Sequence, residues 1–357
     1  MKNRIEKDRL RPVRIWLLIG VMMIIIQILL GGITRLTGSG LSITEWDVIT
    51  GSLPPLNEHQ WIKAFEKYKN TPQFQYVNFD FDLGDFKFIY FWEWLHRNWA
   101  RFIGVVFAIP FIIFFLQKRF TKDMIRPMVI LFLLGALQGA VGWIMVASGL
   151  TGDAIYVKPV KLALHFIFAL VLLCYTYWFY LKLRYRETPV INQSSLRKLT
   201  KYILVVLVFQ LIYGALMAGY KAASFAPTWP DINGEFIPSH MFNGEAGFSN
   251  IFENKITIHF IHRGLAYLLF ILTIIWTWKA FKLPKGSLSG LLKLLPISLL
   301  VIQLILGITA VFTSVKIIPN HWGLFEWLAQ FHQLIAMFFL LSVITVLHCL
   351  KPASVNT

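Results

Sequence analysis

Eight long apolar stretches dominate this chain of 357 residues and limit what it can fold into. A helix needs about 20 apolar residues to cross a bilayer. The stretches that reach this length span residues 15–34, 88–116, 124–147, 159–181, 202–219, 256–280, 291–315 and 324–349. Hydrophobic residues make up 57% of the sequence and charged residues 15%, whereas soluble domains are about a quarter charged. The sequence therefore predicts an all-α membrane protein with eight transmembrane helices.

Basic residues are concentrated in the connections on one side of the predicted membrane. The N-terminus and the connections near 117–126, 182–201 and 279–293 hold twenty Lys and Arg residues against four acids. By the positive-inside rule, both termini are then cytoplasmic, and the loops 35–87 and 220–255 face outward. We expect a multi-pass protein of the cell (inner) membrane, in contact with lipid. The net charge of +16 reflects this topology and does not indicate nucleic-acid binding.

The chain repeats itself once. Each odd-numbered stretch contains the pattern Gln-x-x-x-Gly, which begins at Gln27, Gln138, Gln210 and Gln303. Each even-numbered stretch contains a histidine, and these are His96, His165, His262 and His332. Four helices followed by four similar helices predict two pseudo-symmetric four-helix bundles with one orientation in the membrane. We place the two halves at residues 1–186 and 187–357.

The four histidines are candidate haem ligands. Each lies about six to nine residues inside the outward end of its predicted helix, which is roughly 10–13 Å deep. Two facing histidines in a four-helix bundle suit a haem with two axial ligands. We predict the pairs His96 with His165 and His262 with His332.

Other interpretations of the histidines are weaker. A single membrane histidine more often makes a hydrogen bond between helices, but four at one depth favour ligands. No ligand role is expected for the histidines in loops or at helix ends, which are His59, His240, His321 and His348. The two cysteines, Cys174 and Cys349, lie inside apolar stretches and offer neither a disulfide framework nor a zinc site.

Glu93 distinguishes the first half from the second. It precedes His96 by three residues, whereas His259 occupies the corresponding position before His262. Residues three apart share one face of a helix, and an ionisable group at membrane depth is a functional candidate. A carboxyl group there could move protons. We therefore predict chemistry in the first half and a fixed electron-transfer cofactor in the second.

Arginines near these residues have two interpretations each. Arg97 or Arg101 could hold Glu93 in a salt bridge, which is the alternative to a catalytic role. Arg97 and Arg263 directly follow the helical histidines. They could bind haem propionates, since a guanidinium fork suits carboxylates, or extend to lipid headgroups.

Residues 57–68 of the first outward loop predict a short amphipathic helix. Asn57 can cap it, with Gln60 three residues on as in a capping box. Trp61, Phe65 and Tyr68 then share one face. We expect this face to lie on the membrane surface, and the alternative is a lid over a site.

Several motifs resemble those of one known family. Residues 31–46 read Gly-Gly-Ile-Thr-Arg-Leu-Thr-Gly-Ser-Gly-Leu-Ser-Ile-Thr-Glu-Trp. Later come Pro-Pro at 54–55, Glu-Trp-Leu-His-Arg at 93–97 and Ile-His-Arg at 261–263. Together they are similar to the haem A synthase family, from the first stretch to the eighth. The outward loops lack cysteine pairs, so the chain resembles the branch without them.

The resemblance implies a function and a set of sites. It implies a b-type haem as cofactor, ligated here by His262 and His332, and substrate haem O bound at His96 and His165. It also implies that Glu93 is an essential acid. The family oxidises the C8 methyl group of haem O to a formyl group by successive hydroxylations and loss of water, which gives haem A for terminal oxidases.

On this basis we expect Glu93 to shuttle protons at the methyl group, while haem b relays electrons to or from the first site. Arg35, at the outer end of the first stretch, would bind a propionate or shape the entrance. The sequence leaves open the electron-transfer partner, the oxygen source, any complex with the farnesyltransferase that makes haem O, and a homo-oligomer.

Two other classes of protein would use the same histidines. A di-haem b-type electron-transfer cytochrome would hold two permanent haems and give Glu93 a relay role only. A haem-delivery protein would exchange haem in both halves without changing it. A solute carrier is less favoured, because its polar sites would lie near the midplane in broken helices.

Overall fold

In the computed structural model most of the described residues are helical. It describes residues 2–45, 50–185, 191, 193–239, 241, 249–284, 287–318 and 322–350. Its helices are α1 (Lys2–Leu36), α2 (Glu58–Lys69), α3 (Pro72–Tyr76), α4 (Leu83–Leu116), α5 (Lys122–Ala147), α6 (Pro159–Arg184), α7 (Ser194–Gly219), α8 (Asn250–Glu253), α9 (Lys255–Phe281), α10 (Gly290–Thr313) and α11 (Leu324–Cys349). The predicted all-α class is confirmed.

Eight of these helices are long and apolar enough to cross a membrane: α1, α4, α5, α6, α7, α9, α10 and α11. They correspond one to one with the eight apolar stretches. The chain divides into two compact units, Met1–Thr176 and Tyr177–Thr357. The predicted boundary at 186/187 lies outside the described residues, so the assignment of the halves and their pseudo-symmetry stay predictions.

In the first unit, α1 packs along α4, and indole groups fix the pair. Trp16 Nε1 donates to the main-chain oxygen of Val106 (2.8 Å), and Trp99 Nε1 donates to that of Met23 (2.9 Å). In the second unit, α7 packs along α9 and α10 along α11. These pairs bring each Gln-x-x-x-Gly segment of the second unit beside the helix that carries the next histidine.

Helix α4 begins five residues earlier than hydropathy predicted. Asp82 caps it, because its Oδ1 accepts from the main-chain N–H groups of Gly84 (2.6 Å) and Asp85 (2.9 Å), and Asp85 Oδ2 accepts from Asp82 N (3.1 Å). This reciprocal capping box extends the helix beyond the apolar stretch. His96 is therefore about three and a half turns from the start of its helix, farther along the helix than we predicted.

The short helix α2 forms where predicted, but its aromatic face does not face lipid. Asn57 Oδ1 accepts from Gln60 N (2.9 Å), as an N-cap. Phe65 and Tyr68 are buried and, together with Trp61, pack against Phe86 at the start of α4. The prediction of a membrane-surface face is wrong here, because these rings bury their area against α4 instead.

Candidate functional site

Each of the four predicted histidines lies against the glycine of a Gln-x-x-x-Gly segment. A side-chain carbon built on Gly31 would be 3.1 Å from Cε1 of His96. The corresponding distances are 2.8 Å from Gly142 to His165, 3.3 Å from Gly214 to His262 and 2.9 Å from Gly307 to His332. Any larger residue would push the ring away. The sequence singled out both patterns but did not predict this contact between them.

The glutamine of each segment also meets the histidine. Gln27 Nε2 lies 3.2 Å from His96 Nδ1 and donates to the His96 main-chain oxygen (3.2 Å). Gln138 makes the same two contacts with His165, both at 3.2 Å. In the first unit, each of the two histidines therefore makes the same pair of contacts with its glutamine.

The second unit repeats this arrangement with variations. Gln210 Nε2 lies 3.3 Å from His262 Nε2. His332 uses a different group, since its Nδ1 is 3.1 Å from the main-chain oxygen of Gln303. In all four segments the glutamine Oε1 is buried and has no hydrogen-bond partner among the described residues.

The rings of His262 and His332 are neighbours, with their centroids 6.5 Å apart and their planes at 61° to each other. Two rings that hold one metal ion from opposite sides put their centroids about 6 Å apart, given bonds of about 2 Å and a ring radius of about 1 Å. The spacing therefore fits an iron between them. His96 and His165 are also close enough to interact electrostatically.

The set of ligands in each unit suits haem better than a bare metal ion. Among the described residues, no group of three His, Cys, Asp or Glu side chains could hold a metal. A porphyrin supplies four equatorial nitrogens and needs only axial ligands from the protein. Two histidines per unit are therefore sufficient for haem.

Glu93 is buried and accepts hydrogen bonds on both carboxylate oxygens. Oε2 accepts from Ser42 Oγ (2.7 Å) and from the main-chain N–H of Ile43 (2.8 Å). Oε1 accepts from Arg97 Nη2 (2.6 Å), which forms the salt bridge that the sequence left as an alternative. The structure thus holds the Glu93 side chain in a fixed position. A catalytic role for it stays a prediction.

Ser42 and Ile43 are functional candidates that sequence reasoning missed as individual residues. They belong to the specific motif at 31–46, which follows α1 and returns over α4 to reach Glu93. Their membership of that motif was the signal that could have identified them. The contact of Ser42 and Ile43 with Glu93 could not be predicted, because these residues are some fifty positions apart in the sequence.

Arg97 and Arg263 both bind main-chain carbonyls of the loop that precedes their helix. Arg97 Nη2 donates to Ile43 O (3.1 Å) and Nη1 donates to Glu45 O (3.2 Å). Arg263 donates to the main-chain oxygens of Asp231 (2.5 Å), Thr228 (2.7 Å) and Ala226 (3.1 Å). This role as loop anchor was not predicted, and propionate binding stays a prediction for both.

The remaining predicted residues occupy varied positions. Arg35 lies in the last turn of α1. His259 is buried, and neither of its ring nitrogens has a hydrogen-bond partner in the described part of the chain. His348 packs against the ring of Trp178. His240 and His321 lie outside the described residues.

Eight apolar helices, four of which carry a candidate haem-ligating histidine, define a multi-pass membrane protein. The chain belongs to the COX15-CtaA family of cytochrome oxidase assembly proteins, whose model matches residues 14–344.

Curated relatives extend this result over almost the whole chain. Proteins named heme A synthase from Flavobacterium johnsoniae and Flavobacterium psychrophilum are 38% and 40% identical, and the matches cover 97% and 95% of this chain and 99% and 98% of theirs. One from Bradyrhizobium diazoefficiens is 40% identical over 86% of this chain and 85% of its own. No solved structure matches. The predicted resemblance to haem A synthases is confirmed.

Proposed function

We propose that this chain is a haem A synthase, a membrane enzyme that oxidises the C8 methyl group of haem O to the formyl group of haem A. Membership of the family and the names of the relatives support the reaction. Two hydroxylations of the methyl carbon give a geminal diol, and loss of water from the diol leaves the aldehyde. The observation that carries the proposal is the arrangement of four histidines, each held against a glycine of a Gln-x-x-x-Gly segment.

In the second unit, His262 and His332 would hold haem b. Their 6.5 Å ring separation leaves room for iron, and the close approach at Gly214 and Gly307 fixes the rings. When bound, this haem supplies one-electron transfer to or from the site of oxidation. Arg263 anchors the outward loop beside this pair through three carbonyl bonds.

In the first unit, His96 and His165 would bind the iron of haem O as substrate. Glu93 lies on the same helix as His96, three residues before it, and is the carboxylate available to accept protons released as the methyl carbon is oxidised. Arg97 and Ser42 hold its two oxygens in place. The second unit has His259 at the corresponding position, which is consistent with chemistry in the first unit only.

The same proposal includes location and partners. We place both termini in the cytoplasm and the chain in the cell membrane, on the distribution of basic residues. Arg35 and Arg97 are proposed to contact propionates of haem O, and Arg263 those of haem b. A complex with the farnesyltransferase that makes haem O, and a homo-oligomer, remain compatible with this scheme.

The test is to purify the chain from a host that makes haem O, extract the haems in acid–acetone and separate them by chromatography with mass detection. We expect haem B together with haem O and haem A, or the hydroxylated intermediate. Haem B alone, at two per chain, would overturn the proposal in favour of a di-haem cytochrome. Exchangeable, unmodified haem in both units would favour a haem-delivery protein.

A further inference from the structure

Helix geometry gives the Gln-x-x-x-Gly pattern a specific meaning. In an α-helix the carbonyl of residue i bonds to the N–H of residue i+4, but its oxygen keeps a second lone pair. The side chain of residue i+4 leans back over the preceding turn, toward that oxygen. A glycine at i+4 therefore leaves the carbonyl of the glutamine uncovered on the outside of the helix.

The fourth segment shows what reaches this carbonyl. Gly307 lies against Cε1 of His332, and the same ring places Nδ1 3.1 Å from the main-chain oxygen of Gln303. In the third segment, by contrast, Nδ1 of His262 has no hydrogen-bond partner among the described residues. All four glycines meet Cε1, the ring carbon between the two nitrogens.

The glutamine side chain has a different role. In the first two segments it presents Nε2, a donor, to the ring and to the main-chain oxygen of the histidine. A donor cannot accept a proton from Nδ1. The main-chain carbonyl is an acceptor in the required position. Its exposure depends on the glycine four residues later and not on the glutamine side chain.

We propose that Gly307 uncovers the main-chain carbonyl of Gln303 so that it accepts the Nδ1 proton of His332 and leaves Nε2 of that ring for haem iron. The inference rests on the proposed haem site of the second unit. Histidines that bind metals commonly donate their other ring N–H to such a partner, which fixes the tautomer and makes the ligand more basic. Gly307 is thus a positioning residue.

The first test is Gly307→Ala in the full-length, detergent-purified protein. An added methyl group 2.9 Å from His332 Cε1 would separate the ring from the Gln303 carbonyl. We expect haem b affinity to fall by about 10–100-fold, and the midpoint potential of the retained haem to rise, because a less basic ligand stabilises ferric iron less. Gly264→Ala is the matched control, since Gly264 lies in α9 with nothing within 4 Å of the added carbon.

Two further variants separate the main chain from the side chain. Gln303→Leu keeps the carbonyl and should leave haem affinity and potential as in the wild type. Gly214→Ala, on the other side of the same haem, should change the potential less than Gly307→Ala, because Nδ1 of His262 has no hydrogen bond for the added methyl group to break. Gln303→Leu decides between the main chain and the side chain if Gly307→Ala does not accumulate.

The inference is overturned if Gly307→Ala matches Gly264→Ala in haem content and potential, or if Gln303→Leu loses haem as readily as Gly307→Ala. A glycine needed only for helix packing would lower the yield of folded protein without moving the potential. Failure of the proposed function looks different, because the wild type itself would then bind no haem b or form no haem A.

Discussion

Glu93 accepts hydrogen bonds on both oxygens, and a glutamine there keeps the shape but offers one acceptor oxygen in place of two and cannot take up a proton. We predict that Glu93→Gln binds haem b and haem O as the wild type does. Formation of haem A should fall by about 10²–10⁴-fold, the range for loss of a general acid or base. The measurement is haem A formed per chain, by extraction and chromatography.

Glu326 provides a matched control for this substitution. It is also buried, but its Oε2 accepts from the main-chain N–H of Gly323 at the start of α11 and so has a capping role. Glu326→Gln should leave haem A formation within a few-fold of the wild type. Normal haem A output from Glu93→Gln would remove Glu93 from the mechanism.

Residue identity was easier to predict from the sequence than residue environment. Glu93 and the four histidines could be singled out, because ionisable groups in apolar stretches are costly and need a reason. The partners Ser42 and Ile43 could not, since they depend on how one loop returns to α4. The loop contacts of Arg263 were likewise hidden, because each joins residues more than thirty positions apart.

Helix α2 depends on a buried tyrosine for its attachment to the start of α4. Tyr68 Oη accepts from Asn78 Nδ2 (2.8 Å) and donates to Gln73 Oε1 (3.1 Å). Gln73 Nε2 in turn donates to the main-chain oxygen of Gly38 (3.1 Å), in the same motif that reaches Glu93. The polar network of α2 and α3 therefore supports the loop that holds the proposed catalytic carboxylate.

Burial raises the pKa of Tyr68 from 10.0 to about 12. The unfolded chain loses this proton near pH 10, whereas the folded chain keeps it until about pH 12, so the unfolded state binds fewer protons in between. Stability from this group is therefore complete below pH 10 and lost as the pH rises to about 12. We predict that denaturant midpoints fall more steeply between pH 10 and 12 in the wild type than in Tyr68→Phe.

The same variant tests the network at neutral pH. Tyr68→Phe leaves Asn78 and Gln73 without their shared partner, at a cost of about 1–3 kcal/mol per buried group, and amide hydrogen exchange in α2 should accelerate. Tyr76→Phe is the control, because the Tyr76 side chain is 66% exposed. Equal exchange rates and equal pH slopes in the two variants would show that Tyr68 does not attach α2.

Element boundaries show where hydropathy stops being informative. It located all eight long helices, but it placed the start of α4 at the edge of the apolar stretch. The capping box of Asp82 and Asp85 continues the helix beyond that edge. The prediction for the aromatic face of α2 was wrong for a related reason. The same sequence pattern is expected whether such a face packs against lipid or against protein. The contact with Phe86, which only the structure shows, distinguishes the two.

The two units carry the same histidine arrangement but differ beside it. Each has two histidines, two Gln-x-x-x-Gly segments and an arginine that anchors a loop. In the first unit, Glu93 accepts hydrogen bonds on both carboxyl oxygens, whereas the second unit has the buried His259. This difference is the basis of the proposed division between a substrate haem in the first unit and a cofactor haem in the second.

This division predicts that each unit can lose its haem separately, because each contains a full pair of ligands. His332→Ala should remove haem b while haem O still binds, and His165→Ala should do the reverse. Haem content by pyridine haemochrome, with mass detection of the extracted haems, distinguishes the two. The control is His348→Gln, which changes a histidine packed against Trp178 at the end of α11. It should retain both haems. If His165→Ala loses haem b, or His332→Ala loses bound haem O, the assignment of one haem to each unit is wrong.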